Sequence, residues 1–91
     1  MAIIFHTSPT GLTAKQYDEA VRRLEAAGVG APAGRLHHVC YGESDDLRVT
    51  EIWDSPESFH RFGQTLMPIL QSLGIDPGQS GVLPVHKIIA G

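Results

Sequence analysis

The chain has no asparagine and one cysteine, Cys40. A single cysteine excludes an internal disulfide, so packing alone must hold the fold. Cationic side chains are also scarce. Seven Lys and Arg stand against ten Asp and Glu, for a formal charge of −3. With no basic stripe to neutralise phosphates, nucleic acid is not an expected partner. Long apolar runs are missing too. The opening "MAIIFHTSPTG" has no basic start, and its apolar run "AIIF" is too short to cross a membrane. Neither a secretion signal nor a membrane partner is expected, and the protein reads as cytoplasmic.

What is present is ordinary globular composition, 42% apolar and 19% charged over 91 residues. That length supports one domain, residues 1–91, with one modest core. Residues 2–6, "AIIFH", read as a strand closed by "TSPTG". A helix follows from Thr13, whose hydroxyl and Gln16 form a capping-box signature. Its apolar face carries Tyr17, Ala20, Val21 and Leu24, and Gly28 ends it. Asp18 with Arg22 and Glu19 with Arg23 are the expected ion pairs. Residues 35–41 and 47–53 read as a hairpin about the turn "GESDD". Ser55 and Pro56 then open a second helix, with a stripe of Phe59, Phe62, Leu66, Ile69, Leu70 and Leu73. Pro68 inside the stripe predicts a kink or break. "VLPVHKIIA" is the expected last strand.

The order β-α-β-β-α-β is the ferredoxin-like pattern, an α+β fold with a four-stranded antiparallel sheet and two helices on one face. Neither face of the expected strands alternates cleanly between polar and apolar. An uncovered apolar face asks for a partner, and a second copy of the same sheet is the simplest one.

The run "RLHHVCYGESDDLRVTEIWDSPESFHRF" and the late "PVHKII" resemble small bacterial members of the dimeric α+β barrel superfamily, whose protomers pair sheet to sheet. The resemblance spans Ile3 to Ile89. The superfamily also holds antibiotic-biosynthesis monooxygenases, haem-degrading monooxygenases and small lactone isomerases. By resemblance, Trp53 is the aromatic at the end of the third strand beside a pocket between sheet and helices. His38 and His86 match histidines of the second and last strands. The asparagine that accompanies the tryptophan in cofactor-free monooxygenases is missing here. His60 is the nearest candidate for a haem ligand and reads as a surface residue.

His37 and His38 are adjacent in a strand, so they face opposite ways. If Val39 pairs with Val49, His37 lies opposite Glu51. If His38 pairs with Val49, His38 shares a face with Glu51 and Trp53. The resemblance favours the second register, which also groups Leu36, Cys40, Leu47 and Val49 on that face. The opposite choice would carry Arg35 inward, and an unpaired buried guanidinium is far more costly than a neutral imidazole. His38 and Glu51 are then the candidate catalytic pair, a histidine beside a carboxylate able to act as a base near neutral pH. The bland alternative is a buried histidine satisfied by that carboxylate. Trp53, Tyr17, His86 and Cys40 are the candidate ligand-pocket residues. Adjacent strand histidines cannot share one ion, and no H-x-x-x-H or C-x-x-C occurs. No metal and no other cofactor is expected.

Two functions fit. One is a homodimeric enzyme of the cofactor-independent monooxygenase or isomerase kind, taking a small hydrophobic or aromatic molecule between sheet and helices. The other is a non-catalytic homodimer that binds a ligand or stabilises a partner. An open pocket favours the first, and a pocket plugged by Trp53, Phe59 and Tyr17 favours the second.

Overall fold

A computed structural model describes all residues from Met1 to Gly91. The elements run β1 (Ile3–Ser8), α1 (Ala14–Ala26), β2 (Arg35–Glu43), β3 (Asp46–Trp53), α2 (Pro56–Ser72) and β4 (Gln79–Pro84). The sheet is antiparallel throughout, in the order β2-β3-β1-β4. This is the ferredoxin-like α+β arrangement. Both helices cover the face that carries Ile3, Phe5, Glu51 and Trp53.

Local chemistry sets the helix starts. Thr13 accepts from the Gln16 backbone N–H, and the Gln16 side chain accepts from the Thr13 N–H, completing the capping box. Ser55 caps α2 through the Ser58 N–H, with Pro56 at the first turn. Glu19, not Asp18, pairs with Arg22, and Glu19 also holds Arg23 at 2.9 Å. One carboxylate thus serves two guanidiniums, at i+3 and i+4. Arg23 also donates to Ser72 at 2.8 Å and ties α1 to the end of α2.

Two expectations about the elements are corrected. Pro68 does not break α2, which runs through it to Ser72. The bond lost at Pro68 would have gone to the Gln64 carbonyl, and both residues are exposed, so water can take that carbonyl. The last strand starts earlier and ends earlier than "VLPVHKIIA". It ends at Pro84, and beyond a bond from the Val85 N–H to Ala2 the segment leaves the sheet. Proline at 84 cannot continue a ladder on that side.

The core lies in two pieces. Ile3, Leu24, Trp53 and Phe62 form one, flanked by Phe59 and Leu66. Leu12, Ala20 and Ile75 form the other, under Tyr17 and Leu70. Ile69 touches both. On the far face of the sheet, His37, Ile52, Ile4 and Leu83 fall in one row across the four strands. Val39 and Leu83 on that face are more than half exposed.

Candidate functional site

The hairpin register decides the site. His38 pairs with Glu51 and Cys40 with Val49, two residues along from the expected partner of His38. Two residues preserve the parity of a strand, so His38 still faces the helices and His37 still faces away.

A bulge between Arg35 and His37 changes the phase at the start of β2. Leu36, expected inward, is left about half exposed at 49%. Arg35 swings onto the inner face opposite Trp53. It does not arrive unpaired, because its guanidinium donates to Glu51 at 3.4 Å and to the Gly30 carbonyl at 3.0 Å. It also lies over the Phe62 ring, 5.8 Å from the centroid. Gly34 permits this entry. Its φ is +92°, and a Cβ there would run into the Ser58 and Asp54 side chains.

Glu51 is the buried hub, 4% exposed. Its Oε1 accepts the Trp53 indole N–H at 3.1 Å, and its Oε2 accepts from His38 Nδ1 at 2.6 Å and from Arg35. A carboxylate only accepts, so Nδ1 carries the hydrogen and Nε2 of a neutral His38 is left as the acceptor. The Tyr17 hydroxyl donates to it at 2.6 Å, with the two rings stacked 5.9 Å apart. Burial pushes the Tyr17 phenol above its ordinary pKa. Cys40, Glu51 and Asp18 push the same way, and Arg35 opposes them. The phenol therefore stays protonated near neutral pH. The line Tyr17–His38–Glu51 runs from α1 through β2 to β3, and no buried side-chain N or O along it lacks a partner.

This line forms part of the wall of a cavity of about 760 Å³ between sheet and helices. The rest is mostly apolar, with Phe5, Leu12, Val49, Phe59, Phe62 and Leu66 among the lining residues. That size is typical of small-molecule sites. The space is not plugged by aromatics: Tyr17 and Phe59 stand on its wall.

Of the expected pocket residues, the structure brings Tyr17, His38 and Glu51 to the cavity and leaves three off its wall. Trp53 is fully buried behind Glu51 and acts as core and hydrogen-bond donor. Cys40 shares the inner face but lies further along β2. Burial, with Asp18 nearby, pushes its thiol up and holds it protonated, which makes it a poor nucleophile. His86 is exposed beyond the end of β4, since the strand expected to carry it inward stops at Pro84. His60 lines the cavity from α2 while staying exposed. Sequence reasoning missed Arg35, because a bulge leaves no mark in alternation. The only signal available was Gly34 just before it.

The fold itself is shared with solved structures. SnoaB, a cofactor-independent oxygenase from Streptomyces nogalater, superposes in a variant form with a TM-score of 0.69. It is 17% identical, over 99% of this chain and 98% of that one. The chain has the fold of the antibiotic-biosynthesis monooxygenases. Proteins described as putative antibiotic-biosynthesis monooxygenases, from Deinococcus radiodurans and Chloroflexus aurantiacus, match at TM-scores of 0.63 and 0.55. They are 15% and 23% identical, each over 99% of this chain and 97% of theirs. No protein-family model and no curated protein matches the sequence. At these identities the likeness is one of fold. The site chemistry has to be argued from this chain's own residues. No helix is long and apolar enough to cross a membrane.

Proposed function

We propose that the protein binds a small apolar or aromatic molecule in this cavity and removes a weakly acidic proton from it, in the manner of a cofactor-independent oxygenase or isomerase. The observation that carries this is the His38–Glu51 pair on the wall of an otherwise apolar cavity of about 760 Å³. Glu51 holds the imidazole in one tautomer and faces the imidazolium that proton removal creates. Arg35 and Trp53 hold Glu51 in place, so the base is pre-oriented. The oxygenase activity named for SnoaB, on the same fold, agrees with this reading. We further propose that it works as a homodimer in the cytoplasm, with the apolar row on the outer sheet face covered by a second copy.

The test is a comparison of the wild type with His38→Gln. Binding is followed with 2-naphthol by fluorescence, and proton removal by deuterium exchange into an enolisable bicyclic ketone. His38→Gln is expected to bind 2-naphthol and to lose exchange by roughly 100-fold or more. Unchanged exchange in a folded variant would make the pair structural.

A further inference from the structure

The acceptor nitrogen of His38, on the cavity wall, is already engaged within the protein. The Tyr17 hydroxyl occupies it at 2.6 Å, a separation that admits no ligand atom between them. Behind it, both oxygens of Glu51 are taken by Trp53, His38 and Arg35. Tyr17 also lines the cavity, and its oxygen keeps acceptor lone pairs while donating to His38, whereas Glu51 is 4% exposed and already accepts from three donors.

We propose that Tyr17 is the catalytic residue that touches the reacting ligand, and that His38 and Glu51 form the relay behind it. This inference rests on the proton-removing function proposed above and changes which atom performs it. In the step, the ligand's C–H or O–H bond breaks and its proton goes to Tyr17 Oη. The proton already on Oη passes to His38 Nε2. The products are a ligand anion, a neutral phenol and an imidazolium facing the Glu51 carboxylate. The number of protons is conserved, no electron changes hands, and return of the proton to a different carbon completes an isomerisation.

The physical reason for coupling the two transfers is the environment of the phenol. Arg35 and Cys40 face it from β2, Glu51 from β3 and Asp18 from α1, and His60 lines the same cavity from α2. Burial disfavours a free phenolate there, and of these groups only Arg35 opposes that trend. A relay avoids the phenolate, because Tyr17 gains one proton as it gives up another.

The experiment measures deuterium exchange at the α-carbons of 2-tetralone in D₂O by NMR, with the wild type and Tyr17→Phe. Phenylalanine keeps the ring and removes only the hydroxyl. The expected result is a folded variant that still binds 2-tetralone but has lost roughly 100-fold or more of the exchange rate. A Tyr17→Phe protein exchanging at the wild-type rate or faster overturns the relay and leaves His38 as the direct base, so the proposed function survives. A wild type that gives no exchange above buffer overturns the proposed function and the relay with it. If Tyr17→Phe fails to fold, a second protein decides. Tyr41→Phe removes the only other tyrosine, which is on the outer face, so 3,5-difluorotyrosine can be placed at position 17 alone. The fluorinated phenol is more acidic, and the alkaline limb of the pH–exchange profile is expected to move to lower pH. An unmoved limb overturns the relay.

Discussion

At the scale of single residues, Glu51 and Phe62 hold the site together for different reasons. Glu51 is a buried carboxylate satisfied by three donors, and its removal leaves the Trp53 indole N–H and His38 Nδ1 without their acceptor and Arg35 without its counter-charge, bonded only to the Gly30 carbonyl. Glu51→Ala should lower stability by about 3–5 kcal/mol in urea denaturation, the range for breaking one partner out of a buried pair. Phe62 packs against Trp53 with ring centroids 5.3 Å apart and lies under Arg35. Phe62→Ala should also lower stability by about 3–5 kcal/mol, a large part of what a domain of this size holds. Lys15, exposed on α1, provides the control, and Lys15→Ala should stay within about 0.5 kcal/mol of the wild type. Melts that rank Lys15→Ala below Phe62→Ala would reverse the faces assigned to the two helices.

At the scale of elements, the helices carry two features whose effects can be read in solution. Pro68 interrupts the bonding of α2 at an exposed position without ending the helix. Pro68→Ala restores a donor where the backbone is already helical. It should stabilise the protein, by up to about 3 kcal/mol, read as a higher melting temperature. A lower melting temperature would show that the ring itself packs usefully. On α1, the Arg22 and Arg23 guanidiniums pull the Glu19 carboxyl down to a pKa of about 2. A carboxyl depressed on folding stabilises the folded state above its unfolded pKa, and that contribution disappears as pH falls through the folded value. Glu19→Gln should therefore melt below the wild type near pH 6, with the gap narrowing between about pH 4.5 and pH 2. Both arginines are at least partly in solvent, so the gap should also shrink in high salt.

At the scale of the whole molecule, the sheet has one covered face and one open one. Ile4, Ile52 and Leu83 lie in a row on the open face, next to Val39. A homodimer closing over this row should bury more than about 1,000 Å² in total. Light scattering at micromolar concentration should return twice the protomer mass, and Ile52→Asp should return the protomer mass. A folded wild-type monomer would set the dimer proposal aside and leave the cavity chemistry to be tested on the single chain.

The sequence by itself determined the element order, both helix caps and the orientation of His38 relative to His37. These follow from local rules. A capping box involves residues three apart, and a strand side chain can face only one of two ways. The pairing of His38 with Glu51 was legible as a shared face, because a two-residue shift in register preserves parity. The place of Arg35 was not legible, since a bulge is a non-local fit between two strands and inverts the face of every residue before it. The same holds for Trp53 and His86. Both were expected at the pocket, but one is sealed into the core and the other lies beyond the end of β4. The hydrogen bond from Tyr17 to His38 joins residues 21 positions apart on different elements. Only the packing of α1 on the sheet brings them together, because side-chain contact between elements depends on how they dock and not on the periodicity within either one.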